Sequence, residues 1–133
     1  MDMEDSKESR NIYTNALQHI NQAWVLNVDI KDFFHAIKTE QIRRLFRGVP
    51  FEFTKSASHH LAMLLTYEGR LPMGASTSPV LSNFACIDLD NRLSGLAQLR
   101  GWKYTRYADD MTFSAIKEFT IEDISAILSL IHI

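Results

Sequence analysis

KYTRYADDMTFSA, residues 103–115, is the stretch whose reading decides the fold. Two short runs rich in β-branched and aromatic residues, Trp102–Tyr107 and Met111–Ala115, flank a tight turn at Ala108–Asp110. That pattern predicts a β-hairpin. Its odd feature is the adjacent pair Asp109 and Asp110, because strands usually exclude Asp. An Asp-Asp pair also makes an ordinary polar turn. The pair therefore needs company elsewhere in the chain before it signifies chemistry.

The company is Asp29. In AWVLNVDI, residues 23–30, Trp24, Leu26, Val28 and Ile30 fall on one face, and Val25, Asn27 and Asp29 on the other. This alternation predicts a strand with an acid near its C-terminal end. If strand and hairpin share a sheet, three carboxylates meet at one edge. Like charges that close repel and raise one another's pKa. A divalent cation removes the penalty, and a few hard oxygen ligands with open positions suit Mg²⁺ shared with substrate phosphates. Two such ions activate a 3′-hydroxyl and stabilise a leaving pyrophosphate. Neighbours in a strand point to opposite faces, which ranks Asp109 ahead of Asp110 as the partner of Asp29.

Outward from these strands the pattern is helical. A short helix is expected from about Thr39 to Phe46, stopped by Gly48 and Pro50, and a second from about Thr54 to Tyr67. GRLPMGASTS, residues 69–78, is a loop. Ser76, Thr77 or Ser78 is placed to cap one long helix running to about Leu99, with Leu81, Ala85, Leu89, Leu93 and Leu96 as its apolar stripe. A last helix starts near Thr120. Residues 11–22 are short helix or loop, and 1–10 a frayed acidic start. The fold class expected is α+β, an antiparallel sheet with packed helices.

The bulk numbers fit one globular domain of 133 residues with 46% hydrophobic content and a net charge of −2. No global basic signature marks a nucleic-acid binder. Locally, residues 31–70 carry seven Lys/Arg against four Asp/Glu, and Arg43, Arg44 and Arg47 share one short helix. They either meet a phosphate backbone or form a solvated face. The one cysteine, Cys86, rules out an internal disulfide, and a cytoplasmic, membrane-free protein is expected. His19, within NALQH at residues 15–19, reads as a structural hydrogen-bonder, since its spacing suggests no metal site.

Three stretches then act together. In VLNVDIKDFFHAI the main chain after Asp29 is placed for triphosphate oxygens. Lys31 either assists there or is a solvated surface lysine, and the ring of Phe34 either lies under the sugar or joins Phe33 in the core. LPMGASTSPVLSN offers a Gly loop before a helix, where backbone approaches a ligand closely. With YADD, in this order, they resemble a reverse transcriptase. NALQH resembles the NAxxH element of the retron-type enzymes of bacteria.

The resemblance implies a reverse transcriptase palm with part of the fingers over residues 11–127. It implies Asp29, Asp109 and Asp110 as catalytic carboxylates, and two Mg²⁺ ions held by these and by Ile30, which has only its main chain to offer. Ile30, Lys31, Phe34, Met73, Gly74 and Tyr107 are the implied substrate contacts, with Phe34 as the gate against a 2′-hydroxyl. The family commonly has Gln where Met73 stands and Pro where Ser76 stands. The implied partners are RNA template, DNA primer and product, dNTPs, a structured non-coding RNA and an effector protein in antiphage defence. The final LSLIHI, residues 128–133, reads as an adapter-derived tail or as a natural helix end. On the adapter reading the chain is a truncated fragment, inactive alone. Group II intron and diversity-generating reverse transcriptases, a nucleotide cyclase and a non-catalytic RNA-binding remnant are the competing readings.

Overall fold

The computed structural model describes residues 11–131; the expected frayed start (1–10) and the last two residues lie outside the described residues. The elements run α1 (Ile12–Leu17), β1 (Trp24–Asp29), α2 (Phe33–Ala36), α3 (Thr39–Arg47), α4 (Lys55–Leu65), α5 (Ser78–Ala85), α6 (Ile87–Arg100), β2 (Lys103–Tyr107), β3 (Asp110–Ala115) and α7 (Ile121–Leu130). The α+β expectation holds.

The three strands form one antiparallel sheet in the order β1-β3-β2. The hairpin strand β3 is therefore central, bonded to β1 on one side and β2 on the other. Its register runs Trp24↔Ala115 to Asp29↔Asp110 against β1, and Lys103↔Ser114 to Tyr107↔Asp110 against β2. Residues opposite each other share a face. Met111, Phe113 and Ala115 thus face the same way as Leu26, Val28 and Tyr104, and all three are buried. Against this face the helices place Leu89 and Leu93 from α6, Ile127 from α7 and Ile42 from α3. Trp102 and Tyr104 pack their rings against Phe113, and Phe119 packs edge-on against Trp102.

The opposite face carries Asn27, Asp29, Thr105, Tyr107, Asp110, Thr112 and Ser114. Here α1 lies near β2. Asn11 and Thr14 cap α1 reciprocally, and the chain beyond it carries His19 onto the sheet.

The expected long helix from Ser78 is interrupted. Cys86, with φ −91 and ψ 2, separates α5 from α6. The hydrogen bonds Cys86 N–H to Ser82 C=O and Asp90 N–H to Cys86 C=O persist across it, at 3.0 and 2.8 Å. The ladder thus continues through the break, and neither Gly nor Pro marks it in the sequence. The apolar stripe survives, with Leu81, Leu89 and Leu93 buried. The expected side-chain cap of α5 is absent: Thr77 makes no cap bond, and the Ser78 hydroxyl instead donates to the Pro72 carbonyl at 2.7 Å, tying the loop back. α7 ends at Leu130, so the first three residues of the suspected tail are helical, and Leu130 and Ile131 pack against the core.

Candidate active site

The hairpin turn is tighter than expected. Asp110 already pairs with Tyr107, leaving Ala108 and Asp109 as the two turn residues. Ala108 takes the left-handed conformation, φ 55, that such a turn demands. Beyond the last paired residues, the Ile30 N–H donates to the Asp109 carbonyl at 3.3 Å. The end of β1 is thereby laced to the turn.

Register then sets the carboxylates. Asp29 and Asp110 are direct cross-strand partners, and Tyr107 stands on the other side of Asp110. All three share the face opposite the core. Asp109 sits beside them in the turn. Asp109 lies in the turn and Asp110 opens β3, so the turn and not strand alternation separates them, and the pairing puts Asp110 rather than the expected Asp109 opposite Asp29. Like charges directly opposite destabilise a sheet, so the pair is an unfavourable feature that a cation relieves. Among the described residues the ion pairs involve none of the three acids.

Among the described residues no group of three or more His, Cys, Asp or Glu side chains is arranged to hold a metal ion. The expected three-carboxylate cluster is not closed. Mg²⁺ does not require one: it keeps several waters and is bound through one or two carboxylates plus substrate phosphates. The facing pair Asp29 and Asp110, exposed at a sheet edge with Asp109 adjacent, meets that requirement in donor chemistry.

The expected substrate contacts are dispersed around this edge. Lys31 is exposed in the turn after β1, where Asp32 takes φ 50. Phe34, on α2, packs at 5.5 Å from the ring of Phe33, which is buried. Phe34, Tyr107 and Ala108 line one groove of about 840 Å³ between α5, α6 and the edge strand β2. Met73, 73% exposed, and Gly74, at φ 82, lie on the loop before α5 and are not among the residues lining that groove.

The basic helix is partly neutralised. Arg43 and Arg44 converge on Glu40. Hydrogen bonding from Arg43, aided by the charge of both arginines, holds that carboxyl down to about 2. Arg47 donates to the Phe53 carbonyl at 3.3 Å.

Sequence reasoning missed a cluster under the turn. Arg106 donates through Nε and Nη2 to the two carboxylate oxygens of Asp90, each at 2.8 Å. The Tyr104 hydroxyl donates to the same carboxylate at 2.8 Å. Burial first, then this bond, pushes the tyrosine hydroxyl pKa up. Asp90 is an unremarkable helix acid in the sequence; only the packing of α6 on β2 reveals its partners. His19 is a hydrogen-bonder, as read: its ring nitrogens bond the Ser114 and Thr105 hydroxyls. No helix among the described residues is long and apolar enough to cross a membrane.

An antiparallel sheet with its core helices packed on one face and acids at the end of its hairpin defines a palm-like scaffold. Residues 2–130 match the family described as reverse transcriptase (RNA-dependent DNA polymerase), and the chain belongs to that family. Retron Ec86 reverse transcriptase of Escherichia coli is 38% identical over 109 residues, covering 82% of this chain and 33% of that protein. Retron Mx65 reverse transcriptase of Myxococcus xanthus is 35% identical over 136 residues, covering 89% and 31%. Retron Mx162 reverse transcriptase of the same organism is 39% identical over 126 residues, covering 81% and 26%. The chain thus spans about a third or less of the length of these relatives.

Proposed function

We propose that the chain is the catalytic-centre segment of a retron-type RNA-directed DNA polymerase. The observation that carries this reading is the register that sets Asp29 opposite Asp110, with Asp109 in the intervening turn. Family membership and the retron relatives support the same reading.

In this reading Asp29, Asp109 and Asp110, with the main chain of Ile30, hold two Mg²⁺ ions. Bound Mg²⁺ supplies activation of the primer 3′-hydroxyl and charge neutralisation at the leaving pyrophosphate. The chain's own residues bind and orient. Lys31 and the main chain after Asp29 take triphosphate oxygens. Phe34 packs under the sugar and excludes a 2′-hydroxyl. Tyr107 lies beside the primer end, and Met73 and Gly74 contact nucleotide or template. The partners are dNTPs, an RNA template with a DNA primer, a structured non-coding RNA and an effector protein in antiphage defence. The protein acts in the cytoplasm, where its one buried cysteine stays reduced.

The test is primer extension on an RNA template with Mg²⁺ and dNTPs, using the protein at its full natural length. Asp109→Asn is expected to abolish synthesis, a loss of at least about 100-fold, with an unchanged melting temperature. Retained synthesis would sink the metal-site assignment. The 133-residue chain by itself is expected to extend poorly or not at all, as it spans so small a part of its relatives.

A further inference from the structure

We propose that Arg106 is the positioning residue of the acidic turn, a clamp that ties YADD to the helical layer. Besides the two bonds to Asp90, Arg106 Nη1 donates to the Ala108 carbonyl at 2.9 Å, inside the turn itself. The same nitrogen lies 3.3 Å from Asn83 Oδ1 on α5. One guanidinium thus joins the turn, α5 and α6.

The clamp is stiff for physical reasons. The Arg106 side chain is 8% exposed and Asp90 31%. Two parallel bonds to one carboxylate fix the plane of the guanidinium, and a rigid fork aims its remaining N–H groups. The Tyr104 bond holds the carboxylate in turn. Tyr104 and Arg106 lie two apart on β2 and share the helix-facing side, whereas Asp110 and Tyr107 face away. Arg106 therefore supports the turn from behind without occupying the acidic face.

The left-handed Ala108 gives the clamp something to oppose. A non-Gly residue at φ 55 sits in a conformation that local sterics disfavour. The bond to its carbonyl holds the turn there, and with it the placement of Asp109 and Asp110. Losing a partner that orients metal-binding groups typically costs 10–100-fold in metal affinity or activity. The functional consequence rests on the polymerase reading; the clamp itself does not.

Two variants test it in the full-length protein. Arg106→Lys keeps the charge and removes the fork. Arg106→Met combined with Asp90→Leu removes the clamp and leaves an apolar pair that folds, because replacing a buried ion pair wholesale is often neutral. In both, amide hydrogen exchange at residues 108–111, measured without metal, is expected to accelerate about tenfold while residues 26–28 of β1 keep their protection. The Mg²⁺ concentration for half-maximal primer extension is expected to rise about tenfold. Tyr104→Phe, which loses one bond to Asp90 but keeps both Arg106–Asp90 bonds and the bond to the Ala108 carbonyl, lowers the melting temperature and shifts both readouts far less than the Arg106 variants do. A lowered melting temperature with unchanged turn exchange in both Arg106 variants overturns the proposal, as does a Tyr104→Phe that shifts both readouts equally. Failure of the wild type to show Mg²⁺-dependent synthesis defeats the functional reading alone, and the exchange arm still judges the clamp.

Discussion

His19 reaches two strands at once, with Nε2 at 2.7 Å from the Thr105 hydroxyl and Nδ1 on that of Ser114. A neutral imidazole donates through one nitrogen and accepts at the other, which suits a pair of hydroxyls. Burial first, and then the charge of Lys103, lowers its pKa below the ordinary histidine value. The sign follows from linkage. The unfolded chain takes up the proton more readily, so the stabilisation is present above the unfolded value and is lost as pH falls below it towards the folded one. Melting temperature is expected to decline between about pH 7 and pH 5, and this slope should flatten in His19→Gln. An unchanged slope would show that His19 contributes nothing to it. The sequence identified His19 as a hydrogen-bonder but not its partners, which are hydroxyls 86 and 95 residues away. Alternation likewise ranked Asp109 ahead of Asp110 as the partner of Asp29, and the pairing puts Asp110 opposite Asp29 instead. Facing is a property of the pairing, and no local period encodes it.

At the level of elements, the strands and most helices were legible because period and caps are local. Thr54 caps α4 and Thr120 caps α7, each accepting from a backbone N–H three residues on. Gly101 ends α6 in the left-handed region at φ 71, and a methyl group there would meet nothing within 4 Å. Gly101→Ala therefore isolates the backbone term. It is expected to destabilise by about 1–2 kcal/mol, read as a lower denaturant midpoint at constant slope. A neutral result would mean the chain relaxes the turn. The break at Cys86 was illegible, since the flanking hydrogen bonds and the apolar stripe both run through it. The Asp90–Arg106 pair was illegible too: the spacing of 16 residues spans helix and strand, and an acid on an exposed-looking helix face reads as solvated.

Over the whole molecule, one apolar cluster joins the sheet to α3, α5, α6 and α7. Leu93, fully buried in it, is a measure of that unity. Leu93→Ala is expected to cost about 2–5 kcal/mol, a large share of the roughly 5–15 kcal/mol that a domain holds. Urea unfolding followed by both far-ultraviolet circular dichroism and tryptophan fluorescence checks it. Coincident midpoints are expected, and separate ones would divide the cluster into independent parts. The sequence predicted the α+β class correctly, but the order β1-β3-β2 was beyond its reach, because alternation names faces and not neighbours.

That order has a consequence for how the chain tolerates changes in length. The strand β3 is gripped on both sides, and its turn has only two residues. One residue inserted at Ala108–Asp109 must either bulge or slide β3 by one position. Sliding would turn Met111 and Phe113 towards solvent and carry Asp110 out of line with Asp29 in the same step. The loop around Met73 and Ser76 has exposed residues and no strand register to protect. Insertions there can be absorbed, whereas in the turn the folding lesion and the site lesion are one event.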